Sequence, residues 1–571
     1  MEDPSRCSHT FSVPSYDLPG DDRSEGRRWM LTEDVPGVTD RVWSCAHDAL
    51  PERDVCPFHC PPDERPPDLD ETDAFRSCLA RAATADDQRR SRRLCQFIDA
   101  TFEELAFRGT TVGGEVNHAI NLAHAEIGES DWTDATFRQP IRCSHATFTG
   151  PLTLRDARFE RSGGFRNATF EGDVQLRGGV FAGPAVFKHA DFRGDARLWY
   201  TQFEAHANFR RARFRDVAYF EAVDFTDYAR FTRATFDGET TFKLAEFDDD
   251  ADFDGARFRG DHGFRRASFD RITDFSDALV EGPLDLSTAE VATLELTPSA
   301  EAGDRREDAH TDEGSAETQC VNLREATVGS GTLGQPASGS VLYDCTDATL
   351  GDVSFTDPDG GPVCDRVRFA RTRFEDFVFE NDDLDPAAAG WRLSEVADPG
   401  ALPEASRGAP DTETLRQTFL NAKNGADETG NNTAASAFFY RELTYRRRRY
   451  AELARDGTRR WRDRAADATK WGRNLALMLS TGYGERPDRV VYSSVTIIVF
   501  FALLYARFLS DVEYAPVDYV VFSFQSFITF ILGTPPAGTA RSVEVLSAVE
   551  GFVGAFFIAL FVFTFTRRIN R

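Results

Sequence analysis

Between Phe137 and Phe269 a phenylalanine stands at every eleventh position, a period that belongs to neither an α-helix nor an isolated strand. The column runs Phe137, Phe148, Phe159, Phe170, Phe181, Phe192, Phe203, Phe214, Phe225, Phe236, Phe247, Phe258 and Phe269. A second apolar column interleaves with it in alternating steps of six and five, from Leu154, Phe165 and Leu176 to Phe275 and Leu286. Two residues before most members of the first column stands an alanine, as at Ala146, Ala157, Ala168, Ala190 and Ala212. Upstream the step is five, through Phe97, Phe102, Phe107 and Val112, then Leu122, Ile127 and Trp132, with Asn117 interrupting. A small and a large inward residue on a fixed short period suit a narrow solenoid, in which each unit is one face of a coil.

The pattern resembles the pentapeptide-repeat family. That resemblance implies an all-β right-handed quadrilateral β-helix over residues 95–384, weakening across a polar insert at 297–318 and resuming at Leu323, Val328 and Leu333. The extra residue in each eleven must be absorbed at a corner, giving coils of about 22 residues stacked roughly 4.8 Å apart. Such rods present surfaces rather than clefts. The chain shows no P-loop, dinucleotide fingerprint, nucleophile elbow or zinc-protease motif, so it is not expected to be an enzyme. His189, His206 and His262 are expected to be exposed coil residues.

A linker at 385–410 leads to a basic, helical juxtamembrane segment at 411–488 that contains Arg446–Arg449. The stretches 490–509 and 543–565 are each apolar and long enough to cross about 30 Å of hydrocarbon. Arg473, Arg486 and Arg489 before the first span, and Arg567, Arg568 and Arg571 after the second, place both termini in the cytoplasm of a two-span cell-membrane protein. Between them, residues 518–536 include an apolar stretch too short to span but suited to a re-entrant helix. The whole is then an α-helical membrane module of two transmembrane helices and a re-entrant pore helix.

Span, half-helix and span together resemble the pore module of two-transmembrane potassium channels. Ser526-Phe527-Ile528-Thr529 look like the end of a pore helix, and Leu532-Gly533 sit where that family begins its filter. The likeness implies a homo-tetramer passing a monovalent cation, with Thr529, Leu532, Gly533 and Thr534 at the constriction. Glu550 lies within the second span, where an ionisable group is costly, and is expected to face a wet vestibule or to be solvated at the interface. Pro535-Pro536 depart from the family's filter, so potassium selectivity is not carried over. Thr481-Gly482-Tyr483-Gly484 spells much of a filter but precedes the first span, and reads as a turn entering the membrane interface.

The chain has 66 basic and 94 acidic residues, a net charge of −28, and lysine only at Lys188, Lys243, Lys423 and Lys470. That balance suits a salt-adapted, halophilic surface, since molar salt shortens the Debye length to roughly 3 Å. The resemblance to the pentapeptide-repeat family, some of whose members are acidic rods that occupy the DNA site of a topoisomerase, implies a DNA mimic as a further alternative. Nucleic acid is not an expected partner, and the basic juxtamembrane segment fits anionic membrane lipid better. No signal peptide is evident, and a reducing cytoplasm is expected for most of the chain.

Ahead of the repeats, residues 1–80 hold Cys7, Cys45, Cys56, His59 and Cys60. Cys56 and His59 have the C-x-x-H spacing of metal ligands, and Cys45 with distant Cys7 would complete a Cys3His set for structural zinc. His47 or Cys60 could replace a ligand, and unligated reduced thiols or a redox role are the alternatives. Two functions follow from these parts: a channel-like membrane protein whose cytoplasmic β-helix senses, assembles or docks an unknown protein ligand, or a non-conducting membrane-tethered scaffold.

Overall fold

The computed structural model describes residues 6–12, 38–39, 42–114, 118–298, 319–337, 339–358, 360–361, 363–379, 384, 386–394, 396–508, 515–528 and 541–569. The chain divides into two compact units, Met1–Phe369 with Glu380–Ala389 and Glu395–Gly408, and Ala370–Phe379 with Gly390–Ser394 and Ala409–Arg571.

The first unit is a parallel β-solenoid of about 11 turns. Its strands, mostly two residues long, pair in parallel with strands 22 residues away, so Phe159 lies against Phe181 and Phe181 against Phe203. The all-phenylalanine column therefore splits into two ladders, the other running Phe148, Phe170, Phe192 and Phe214. Within each ladder the rings stack at the strand repeat, Phe159 on Phe181 at 4.5 Å and 2°. Rings of neighbouring ladders meet edge to face, Phe220 against Phe231 at 5.5 Å and 86°.

The two step lengths correspond to two kinds of corner. The five-residue step from Phe165 to Phe170 passes through a tight turn in which Ala168 N–H donates to the Phe165 carbonyl at 3.1 Å and Asn167 has φ 54°. This left-handed residue recurs every eleven positions, as at Asp156, Arg211 and Leu244. The six-residue step from Phe159 to Phe165 takes the extra residue at the other corner, through Glu160, Arg161 and Ser162. There the coils approach so closely that a Cβ on Gly183 would lie 2.5 Å from the Arg161 carbonyl carbon. Late in the solenoid the bend at this corner straightens, and Glu290–Leu296, Thr327–Gly334 and Thr349–Thr356 pair as continuous strands.

A second column of small residues, two before the second apolar column, also points inward: Ala185, Ala207, Ala229 and Ala251 form one ladder. On another face the equivalent ladder runs Ala196, Ala218, Thr240, His262 and Leu284. His262 is thus interior, 4% exposed, against the expectation of a surface residue; His206 is exposed and His189 half-buried at a left-handed corner.

At the N-terminal end, Thr10–Ser12, Val38–Thr39 and Val42–Ser44 form a small antiparallel sheet. Helices α1 (Glu71–Ala83) and α2 (Gln88–Leu94) follow, each capped by an aspartate, Asp70 and Asp87, accepting from a first-turn N–H. Toward the other end of this unit, Leu402 packs on Cys320 and Leu342.

The second unit is helical. Helices α3 (Thr412–Glu428) and α4 (Asn432–Arg455) pack as a hairpin, capped by Asp411 and Asn431, with Phe419 and Phe438 buried and Phe379 against Phe438 at 4.9 Å. Helix α5 (Trp461–Thr481) ends at Gly482, whose φ of 56° suits a glycine C-cap. Helices α6 (Pro487–Phe508), α7 (Pro516–Ile528) and α8 (Arg541–Ile569) complete the unit.

Candidate metal centre and membrane-facing helices

Three short segments converge at the N-terminal end. Cys7 N–H donates to the His47 carbonyl at 3.0 Å and Cys45 N–H to the His9 carbonyl at 3.1 Å, which brings the first strand beside the third. After it, His59 and Cys60 N–H groups both donate to the Cys56 carbonyl at 3.1 Å, a turn that aims Cys56 and His59 the same way. The ligand atoms of Cys7, Cys45, Cys56 and His59 consequently lie within 4.8 Å of one another.

The separations suit a tetrahedral ion. Cys45 Sγ is 3.8 Å from Cys56 Sγ, and His59 Nδ1 is 3.1 Å from Cys56 Sγ and 3.7 Å from Cys7 Sγ. Metal–sulfur bonds of about 2.3 Å give tetrahedral sulfur edges of about 3.8 Å. His59 turns Nε2 away, 2.9 Å from the Ile98 carbonyl, which fixes Nδ1 as the inward nitrogen. His47 lies beside the cluster, with Nδ1 3.3 Å from Cys45 Sγ and Nε2 3.2 Å from the Leu94 carbonyl. Burial lowers its pKa to about 4. Cys60 faces Arg53 instead, 3.7 Å away. Hydrogen bonds from Cys45 and Cys56, with a further one from His59, hold the Cys7 thiol far below its usual range, so one thiolate is favoured in the cluster. All ten cysteines are buried and none is in a disulfide.

In the second unit, α6 and α8 are long and apolar enough to cross a membrane. Their outward faces carry Tyr492, Leu503, Phe552 and Phe556, all more than half exposed, a pattern that water does not favour. Helix α7 has 13 residues, about 20 Å of helix, and packs against both. Phe522 on α7 meets Tyr505 on α6 edge-on at 4.8 Å, within a cluster that includes Phe501, Val543 and Leu546. Gly554 of α8 admits the end of α7, since a Cβ there would clash with the Phe527 carbonyl oxygen.

Glu550 is fully buried on α8. Tyr505 Oη donates to it at 2.7 Å and Ser523 Oγ donates to its other oxygen, while Ser523 also lies 2.8 Å from the Ile498 carbonyl. The carboxylate therefore fastens three helices of its own chain together. Thr529, Leu532, Gly533 and Thr534 lie outside the described residues.

Thr481–Gly484 joins α5 to α6 through a compact turn with Tyr483 at φ 63° and only 7% exposed. Its hydroxyl donates to Asn474 Oδ1 at 2.6 Å and accepts from Arg447 Nη1 at 3.2 Å. A tyrosine between two glycines was the available sequence signal, but it does not reveal that the ring points inward. Likewise, Glu550's position within an apolar run marked it as unusual without naming Tyr505 and Ser523 as its partners.

Against known proteins, a family model for pentapeptide repeats matches residues 165–213, 200–245 and 242–290, with the family described as nine copies of the repeat. The chain thus carries pentapeptide repeats in its solenoid. No curated protein and no solved structure gives a significant match.

Proposed function

We propose that this chain is a membrane-anchored, channel-like protein whose pentapeptide-repeat β-helix regulates or assembles its pore. The observation that carries the reading is α7, too short to span, held between two span-length apolar helices by the buried Glu550, Tyr505 and Ser523 group. Buried polar groups at membrane depth need such partners, and a half-helix there needs protein or a water path beside it. On this reading α6 and α8 span the cell membrane with cytoplasmic termini, α7 is re-entrant, and four chains surround a path for monovalent cations. Thr529, Leu532, Gly533 and Thr534 then line the narrow part.

The solenoid is read as a right-handed quadrilateral β-helix displaying an acidic surface to a protein ligand in a salt-rich cytoplasm. The basic face of α4 and α5 meets anionic lipid, and the Cys3His cluster holds structural zinc. A scaffold that is tethered but does not conduct is the competing reading, favoured by Pro535-Pro536 in place of the rest of a filter. An acidic DNA mimic is less consistent with a membrane anchor.

Cation flux through the purified full-length protein in liposomes at high salt tests the proposal. Flux that Gly533→Asp abolishes supports a pore at the re-entrant segment. Absence of flux in every ionic condition selects the scaffold.

A further inference from the structure

The first coil of the solenoid begins at an edge that no earlier coil covers, and an exposed parallel edge is both unstable and prone to pairing with other chains. The backbone groups along this edge are nonetheless taken up by the N-terminal head. Thr101 N–H donates to the Phe58 carbonyl at 2.9 Å, and the Ile98 carbonyl receives His59 Nε2 at 2.9 Å. Further on, Glu103 N–H donates to the Glu71 carboxylate at 2.8 Å and Ala106 N–H to Thr72 Oγ1 at 3.0 Å. The apolar floor is covered in the same way, Phe58 meeting Phe97 at 4.9 Å and Phe75 meeting Phe97 at 4.3 Å. The head therefore acts as a substitute coil.

What holds the head in shape is not a large core. Among its described residues before α1, Trp43 and Phe58 are the large buried apolar side chains, and its strands are two or three residues long. A segment this small needs a crosslink or a metal to stay folded. The Cys3His cluster joins its three pieces, and the Cys56–His59 turn that supplies two of the ligands also supplies, through Phe58 and His59, two of the hydrogen bonds to the first coil.

We infer that a tetrahedral soft divalent cation, zinc, bound by Cys7, Cys45, Cys56 and His59, is the clasp that keeps the head seated on the first coil of the β-helix. This rests on the zinc reading above. Ligand His59 links the ion directly to the Ile98 carbonyl, so losing the ion frees the Cys56–His59 turn and uncovers Phe97, Phe102 and Phe107.

The test is hydrogen–deuterium exchange on the full-length protein in detergent, with bound zinc measured by elemental analysis before and after EDTA treatment. The expected result is one zinc per chain and, once it is removed, exchange across residues 97–112 faster by about tenfold or more, while residues 203–269 are unchanged. Protection should return on adding zinc, which separates a clasp from irreversible damage. Cys60→Ser should keep the ion and the protection, because Cys60 is buried outside the cluster. Cys56→Ser should lose both. If zinc leaves and the first coil stays protected, the clasp is overturned while the zinc site stands; protein that never binds zinc, even when supplied with it, overturns both.

Discussion

The Tyr505 hydroxyl donates a 2.7 Å hydrogen bond to the Glu550 carboxylate across 45 residues of sequence, and Ser523 closes the group from a third helix. A buried carboxylate is costly unless its lone pairs are occupied, so removing a donor leaves an acceptor unpaired. Tyr505→Phe, which keeps the ring against Phe522, should destabilise the helical unit by about 1–3 kcal/mol. Glu550→Gln retains an acceptor and should cost less than Glu550→Ala, which leaves a cavity among α6, α7 and α8. Thermal unfolding in detergent checks the order; equal melting points for Glu550→Ala and the parent protein would remove the fastening role.

His262 occupies a position that alanine fills at Ala196 and Ala218, and burial lowers its pKa from 6.5 to about 4. The neutral ring is the folded form. As pH falls below 6.5 the unfolded chain takes up the proton first, so stability present above that pH is lost progressively toward pH 4, by up to about 3 kcal/mol. His262→Ala should flatten the acid side of the stability profile by that share, with His189, also lowered to about 4 by burial, remaining. Denaturant midpoints at pH 7 and pH 4.5 for both proteins give the comparison. An unchanged acid slope in the variant would mean that another group titrates.

The misreading of His262 shows where the sequence stops being legible. The phenylalanine columns were readable because large apolar residues at a constant step have one economical use, and the 22-residue coil follows from two elevens. The second small column was missed because one of its two ladders is not kept small, alanine giving way after Ala218 to Thr240, His262 and Leu284, and only register shows that they share an inward row. At the metal cluster, Cys56 and His59 are readable from spacing, but Cys7 and Cys45 join them only through backbone pairing of the head. The assignment of the extra residue to the open corner was equally hidden, since both corners are polar.

The tight corners place non-glycine residues at positive φ, where an L side chain costs about 1–2 kcal/mol. Leu244, at φ 60° and 41% exposed, contributes little packing in return. Leu244→Gly should therefore be neutral or stabilise the solenoid by about 1 kcal/mol, the relief of the corner outweighing the entropy gained by the unfolded chain. Gly178 holds the equivalent place at φ 68°, with Asp156 Oδ1 only 2.3 Å from where a Cβ would be. Gly178→Ala should lower stability by about 1 kcal/mol or more, and a urea midpoint that falls for Gly178→Ala but not for Leu244→Gly is the expected outcome.

Stacked ladders make each ring answerable to two neighbours. Phe231 lies 4.9 Å from Phe209 at 2° and 4.9 Å from Phe253 at 4°, so Phe231→Ala opens a gap in the middle of a continuous column. The expected cost is about 3–5 kcal/mol. Because each coil contacts only its neighbours, the damage should stay local: exchange should rise around residues 209–253 and remain low near Phe165. Uniform loosening of the whole rod would contradict the nearest-neighbour account.

Tyr483 is held in a left-handed conformation that a tyrosine does not prefer, and three groups compensate: its hydroxyl binds Asn474, Arg447 donates to it, and Tyr440 packs against the ring at 5.5 Å. Asn474 is itself buried on α5, and Arg447 belongs to α4, so the turn before α6 is fixed by two helices at once. Tyr483→Phe keeps the ring but leaves Asn474 without this donor and Arg447 without this acceptor, a loss of about 1–3 kcal/mol. Tyr483→Gly relieves the backbone yet removes the ring, and should be the worse of the two, because burial of an aromatic side chain is worth more than the relief of one left-handed residue. Limited proteolysis at the α5–α6 junction, followed over time for the parent and both variants, resolves the ranking. Cleavage fastest in Tyr483→Gly and intermediate in Tyr483→Phe is the expected order. Faster cleavage of Tyr483→Phe than of Tyr483→Gly would show that backbone strain, and not the buried ring, governs this turn.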